Sequence, residues 1–164
     1  MANTGSDPIE IERKFLVTGD GWRAGAEGEA IAQGYLTASP APTVRVRVGD
    51  RGSFLTIKGK AKGITTPEFE YEIPRDHALA ILALCTEGRI EKTRYRVDVE
   101  SHVFEVDVFE GDNEGLVMAE VELEREDEPY PRPPWLGREV SHDPRFKNAR
   151  LARDPFRPDW KVED

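Results

Sequence analysis

Cysteine is almost missing: Cys85 stands alone in 164 residues, so no intramolecular disulfide can brace the chain. It lies in the apolar run that begins at Ala78 and reads as a small core residue. Histidine is scarce too, and His77, His102 and His142 lack the spacing of a zinc site, which leaves them as surface residues. No run approaches the roughly 18 apolar residues of a membrane-spanning helix, and Met1 to Ser6 lacks the basic and apolar parts of a signal peptide. A soluble, cytoplasmic protein with no membrane partner is therefore expected. Basic residues are not in excess either. The net charge of -9 argues against nucleic acid as a partner, because a phosphate backbone demands a basic face. There is also no Gly-rich phosphate loop, zinc-protease helix or G-x-S-x-G elbow, so the main rival hydrolase templates lack support.

What the chain has instead is charge, with 34% Asp, Glu, Lys and Arg, against roughly 25% in an average protein. A length of 164 residues suits one domain with a real core, so the excess either covers a very polar surface or lines an internal cavity. Its distribution is periodic. From Ile9 the residues alternate, with Ile9, Ile11 and Arg13 against Glu10, Glu12 and Lys14, the period of a strand. Similar patterns predict strands over Ile31 to Thr37, Thr43 to Val48, Ser53 to Lys58, Glu68 to Ile73, Ile90 to Val99, His102 to Phe109 and Leu116 to Glu124, eight in all. The loop Ser39-Pro40-Ala41-Pro42 and the turn Gly49-Asp50-Arg51-Gly52 separate some of them. A helix capped by Asp76, running to about Thr86 and stopped by Gly88, divides the strands. After the prolines of Glu128 to Pro134, Trp135 to Val140 reads as a short turn. Asp143-Pro144 then starts a second helix, docked through Phe146, Ala149, Leu151 and Ala152 and ending near Pro155.

The polar faces are sorted by sign, as Glu-x-Glu-x-Lys, Arg-x-Arg, Glu-x-Glu, Lys-x-Arg and Glu-x-Glu again. Any one of these strands could simply show a wet face to solvent, but solvated faces usually mix signs. Two like charges two residues apart repel unless a counter-charge or a ligand lies between neighbouring strands. Eight strands can close into a barrel whose interior holds side chains or one small ligand. The fold class expected is α+β, mainly β: an eight-stranded antiparallel closed β-barrel with a charged interior. Its outward valines, leucines and aromatics are expected to lie under the two helices.

Such a lining suggests its own chemistry. Three linked phosphates fit Lys14, Arg45, Arg47, Lys58, Lys92 and Arg94, because arginine forks match phosphate oxygens and lysine adds a compact charge. The carboxylates Glu10, Glu12, Glu70, Glu72, Asp107, Glu120 and Glu122 would repel those phosphates unless hard cations, Mg2+ or Mn2+, lay between them. In-line attack of water on the terminal phosphorus, with no covalent intermediate, is the reaction this set suggests. Glu68, Lys60, Arg96, Glu105 and Glu124 continue the same faces at strand ends, where solvent is the better expectation.

In order along the chain come Ile9-Glu10-Ile11-Glu12-Arg13-Lys14-Phe15-Leu16-Val17, Gln33-Gly34-Tyr35-Leu36, Arg45-Val46-Arg47, Thr56-Ile57-Lys58-Gly59, Glu70-Tyr71-Glu72, Lys92-Thr93-Arg94-Tyr95, Glu105-Val106-Asp107 and Ala119-Glu120-Val121-Glu122. Together they resemble the triphosphate tunnel metalloenzymes, or CYTH family, whose signature is the E-x-E-x-K strand. The resemblance covers about Ile9 to Phe156 of a single domain, residues 1–164. The tail, with Trp135-Leu136-Gly137, Val140 and Asn148 through Phe156, is most similar to that of short bacterial members, which act chiefly as inorganic triphosphatases. The family implies a metal side of Glu10, Glu12, Glu120 and Glu122 with Asp107 assisting, and phosphate contacts from Arg45, Arg47, Lys58, Lys92 and Arg94, with Lys14 placed in the site by the signature. It also implies a catalytic pair, Lys92 and Tyr35, although Tyr35 reads equally well as a structural residue at the barrel mouth.

The function so implied is metal-dependent hydrolysis of tripolyphosphate to diphosphate and phosphate. The alternatives are an adenylyl cyclase or a thiamine or nucleoside triphosphatase within the family, and a non-catalytic polyphosphate sensor outside catalysis. No adenine pocket or aromatic subsite is visible to favour them. A homodimer through an outer apolar face, with Phe69, Tyr71 or Val106 in it, is the expectation for a protein partner.

Overall fold

The computed structural model describes residues 8–38 and 42–162, so Met1 to Ser6 and most of the loop at Ser39 to Pro42 lie outside the described residues. The strands are β1 (Ile9–Val17), β2 (Gly28–Thr37), β3 (Thr43–Gly49), β4 (Gly52–Lys58), β5 (Thr65–Glu72), β6 (Arg89–Val99), β7 (His102–Phe109), β8 (Val117–Glu122) and β9 (Leu136–Glu139). Helix α1 (Arg75–Leu84) follows β5, and α2 (Asn148–Leu151) follows β9. The strands pair in the order β5-β4-β3-β2-β6-β7-β8-β1-β9, and β1 also pairs with β5. That last pairing closes eight strands into the expected antiparallel barrel.

Register explains why the charged faces meet. Residues opposite each other in a ladder share a face, and the pairs include Glu12 with Glu122, Lys14 with Glu120, Tyr35 with Arg45, Gln33 with Arg47 and Arg94 with Asp107. Every one of these residues belongs to the alternate set that points inward. Strand β1 has β8 along one edge, while its other edge is shared by β5 at Ile9–Ile11 and by β9 at Phe15 and Val17. The segment read as a short turn is therefore a ninth strand, added where β5 leaves the edge of β1 free.

The helices also depart from expectation. Asp76 sits inside the first turn of α1, which starts after Pro74 with no side-chain cap, and the helix ends at Cys85 in extended conformation rather than at Gly88. Gly88, at φ +99, lies where the chain passes the Ala152 carbonyl, so an added Cβ would strike backbone. Cys85 is half-buried at the end of α1 and packs so closely on Gly34 of β2 that a Cβ there would meet its Sγ at 2.8 Å. The second expected helix is broken into a 3-10 turn over Pro144–Phe146 and the four-residue α2, with Lys147 extended between them. The Phe146 carbonyl accepts a hydrogen bond from Lys14 Nζ at 3.4 Å, inside the barrel, instead of continuing a helix. Among the described residues no helix is long and apolar enough to cross a membrane.

The core has three parts. Helix α1 covers Val46 and Val48 on the outside of β3. The outer face of β1, β7 and β8, with Phe15, Phe104, Val106 and Val121, is covered by Trp22 and Trp135 from two loops and not by a helix. Val106 is thus fully buried and unavailable as an outer contact, whereas Phe69 and Tyr71 are exposed. The third part is internal: Tyr35, Ile90, Phe109 and Met118, inward residues at one end of the barrel, pack against Val140, Phe146 and Leu151 of the C-terminal segment. That end is sealed by apolar contact, so the interior is charged only beyond this layer. Leu151 is fully buried in the seal. Leu151→Ala is expected to destabilise the protein by about 2–5 kcal/mol in urea denaturation; a loss below about 1 kcal/mol would show that the tail does not seal the barrel.

Candidate active site inside the barrel

Beyond the apolar layer the barrel encloses a cavity of about 900 Å3. Glu10, Glu12, Lys14, Tyr35, Arg45, Arg47, Lys58, Glu70, Lys92, Arg94, Glu120 and Glu122 all line it. Two of the expected residues do not. Glu72 is exposed at the end of β5, and Asp107 lies behind the lining, 1% exposed. Glu68 and Glu105, expected in solvent, do line the cavity, where they pair with Lys58 at 3.4 Å and with Arg94 at 2.8 Å. Lys60 stands at the rim. Arg96 and Glu124 lie in a more open depression that shares Glu105 and Glu122 with the main cavity.

Asp107 anchors one wall. Arg94 forks onto it, Nε to Oδ1 at 2.8 Å and Nη2 to Oδ2 at 2.9 Å, and Lys92 Nζ meets Oδ2 at 2.9 Å. Burial works against the charge of Asp107, but Arg94 and Lys92 outweigh it and hold the carboxyl below its usual range. Burial pushes Lys92 the other way, down to about 8, although Asp107 opposes the shift. Arg94 also reaches Glu120 at 3.8 Å, and Lys14 reaches the same carboxylate at 3.4 Å. Glu120 is half-buried, and against that desolvation Lys14, Arg94 and Lys92 keep it ionised well below the ordinary carboxylate range.

Across the cavity, Arg45 and Arg47 reach Glu70 at only 3.6 and 3.7 Å, and Thr56 Oγ1 donates to that carboxylate at 2.9 Å. Arg45 Nε is buried with no hydrogen-bond partner among the described residues. Arg47 packs over the Phe54 ring at 4.9 Å, and burial followed by repulsion from Arg45 lowers its pKa. Burial acts on Arg45 in the same direction, but Tyr35 and Glu70 outweigh it and its pKa is raised instead, so the charge left undermatched is that of Arg47, and an anion beside it would match it.

The acid wall shows the opposite strain. Glu12 and Glu122 stand opposite each other on β1 and β8, with no ion pair or hydrogen bond to either carboxylate among the described residues. Burial, then repulsion from Glu120 and Glu10, pushes Glu12 up to about 8. Glu122, exposed at the end of β8 but lining the cavity, is pushed up to about 7 by partial desolvation and then by repulsion from Glu10 and Glu105. Glu10 is drawn to Lys58 at 2.7 Å. Among the described residues no three acidic, histidine or cysteine side chains already form a ligand cage. The donor set nevertheless fits a hard divalent cation: it offers carboxylate oxygens alone, with negative charge in excess where Glu12 and Glu122 meet.

Two uncharged residues of the site, Gln33 and Asn148, have no role that the sequence pattern reveals. Gln33 and Asn148 are buried and half-buried amides that link Tyr35 to Lys92. For Gln33 the available signal was its place on the same inward face as Tyr35, opposite Arg47.

Residues 8–151 match the CYTH domain model. The chain is 46% identical over 149 residues to an inorganic triphosphatase of Acetivibrio thermocellus, covering 90% of this chain and 96% of that protein. It is 39% identical over 153 residues to an inorganic triphosphatase of Nitrosomonas europaea, covering 87% of this chain and 96% of that one. Among solved structures it is similar to the inorganic triphosphatase NE1496, at 35% identity and a TM-score of 0.62, with 88% of this chain and 94% of that chain covered. A closed eight-stranded barrel lined with charge of both signs is a triphosphate tunnel, and this chain belongs to the CYTH family. The divalent-metal dependence that the family implies agrees with the donor chemistry of the acid wall.

The raised carboxyls make a stability prediction that needs no turnover. A carboxyl whose folded pKa lies above its unfolded value binds more protons when folded, so stability falls as pH rises. In chelator, melting temperature is expected to fall from about pH 4.5 to about 8, the window set by Glu12. Glu12→Gln should flatten that slope, and excess Mg2+ should restore the melting temperature at pH 8 in the parent protein only. Equal slopes for the two proteins would remove the acid wall as the cause.

Proposed function

We propose that this protein hydrolyses inorganic tripolyphosphate to diphosphate and phosphate, with Mg2+ or Mn2+ as cofactor. One observation carries the reading: the cavity inside the barrel presents an undermatched cation, Arg47, on one side and mutually repelling carboxylates on the other. A polyphosphate relieves the first strain and a divalent cation the second, so the two ligands suit the site together better than either alone. The names of the relatives support the same substrate.

In this reading Arg45, Arg47 and Arg94 hold phosphate oxygens and stabilise the charge that spreads over the transferring group. Lys14 and Lys58 start from carboxylate partners, which bound phosphate would share. A cation held by Glu10, Glu12, Glu120 and Glu122 would screen the phosphate charge and act as a Lewis acid. Asp107 takes no place in that set, because Arg94 and Lys92 occupy its oxygens; it fixes those two side chains. Glu70 serves by spacing Arg45 and Arg47, and Glu72 takes no part. Lys92 and Tyr35 are the catalytic pair, with Lys92 positioned to take a proton from the attacking water.

Purified protein with tripolyphosphate and either metal is expected to release phosphate, and Glu10→Ala is expected to abolish the release. Arg47→Ala should lower kcat/KM about 10- to 100-fold, the worth of a charge-assisted contact. No release above the Glu10→Ala control, or faster formation of cyclic AMP from ATP, would overturn the assignment. An amine that acts as a base works above its pKa, so at saturating metal kcat/KM should rise with one ionisation near pH 8. The same rise in a Lys92→Met variant would reject Lys92 as its source.

A further inference from the structure

Gln33 is fully buried on the inward face of β2, two residues before Tyr35. Its Nε2 donates to Tyr35 Oη at 3.2 Å and to Asn148 Oδ1 at 3.3 Å. The same Asn148 oxygen accepts from Lys92 Nζ at 3.0 Å. Among the described residues Lys92 and Tyr35 share no direct hydrogen bond, so these two amides are the connection between them.

The directions along this connection follow from one group. Lys92 Nζ faces two acceptors, Asp107 Oδ2 and Asn148 Oδ1, and donates to both. Asn148 must therefore turn its oxygen toward Lys92. That oxygen also faces Gln33, which answers with its amino end, and the amino end then meets Tyr35 as a donor. Tyr35 Oη accepts, so its own hydrogen is left for another partner. Both Tyr35 and Lys92 line the cavity. The free hydrogen of the phenol and the third position on Nζ are what these residues have left to offer a ligand there.

Gln33 Oε1, meanwhile, is buried with no hydrogen-bond partner among the described residues. An unmet buried acceptor destabilises a fold, and an apolar side chain of similar shape would avoid it. The amide is thus poorly explained as packing.

We infer that Gln33 and Asn148 are positioning residues that orient Tyr35 Oη and Lys92 Nζ together toward the bound phosphate chain. The inference rests on the assignment of Lys92 and Tyr35 as the catalytic pair, and extends it to two residues that act through them. Since Asn148 is the first residue of α2, the docked C-terminal segment completes the site as well as closing the barrel.

The test is a double-mutant cycle on tripolyphosphate turnover, with melting temperature as the control for folding. Gln33→Leu is expected to lower kcat about tenfold with KM changed less than about twofold, and with no fall in melting temperature. In a Tyr35→Phe background the same substitution should cause no further loss. Gln33→Glu keeps the shape but loses the donor, and should be as impaired as Gln33→Leu. Asn148→Ala should also lower kcat, and Asn148→Asp, which keeps an accepting oxygen, should restore most of it. Should the Gln33 variants fail to fold, the contrast between the two Asn148 variants decides the matter from the tail. An unchanged kcat in Gln33→Leu, a loss that persists undiminished beside Tyr35→Phe, or equal impairment of Asn148→Asp and Asn148→Ala would overturn the inference. If Tyr35→Phe and Lys92→Met themselves leave kcat intact, the catalytic pair is what fails.

Discussion

The buried carboxylate of Asp107, held between the Arg94 fork and the Lys92 ammonium, is the contact on which the site is organised. An ionised carboxylate this deep would be intolerable alone, and removing one partner of such a group costs about 3–5 kcal/mol. The same contact fixes Arg94, which then reaches Glu105 and Glu120, while Glu120 holds Lys14 on the neighbouring strand. Asp107, Arg94, Glu120 and Lys14 thus form a line of contacts of alternating charge across β7, β6, β8 and β1. Buried ion pairs add little net stability; what this line provides is fixed positions for charges that would otherwise repel or wander.

The paired wall contrasts with the rest of the cavity. Glu12 and Glu122 on one side, and Arg47 on the other, are less well matched by their neighbours. Strain of this kind is what a binding site retains and a packed core removes. It also explains why binding of cation and polyphosphate should be mutually favourable, since each lowers the repulsion that the other meets.

Much of this could be read from the chain because alternation is a local property. Glu10, Glu12 and Lys14 reveal their common face within five residues, and the order of like-charged pairs carries the rest of the lining. The misreadings come where position along the barrel axis matters. Glu70 and Glu72 share one face of β5, but only Glu70 is deep enough to reach the cavity. Asp107 has the same parity as Glu105, yet the longer glutamate reaches the cavity and the aspartate stays behind it. Strand β9 is too short to announce itself, and it exists because β1 has a free edge. Gln33 and Asn148 carry no charge and lie far apart in the chain, so only the closed fold brings them together.

The double use of one edge of β1 bears on how the molecule comes to be made. Strand β1 is the earliest of the nine to emerge during synthesis, but its partners β8 and β9 lie more than a hundred residues later. Loop closure over such distances slows folding, and until β8 arrives the apolar outer face of β1, with Phe15, lacks Ala119 and Val121 from its cluster. The tunnel therefore cannot close before β8 has been made, and until then the signature strand waits unpaired along one edge. Pairing across the length of the chain, more than local strand formation, is what assembles the site.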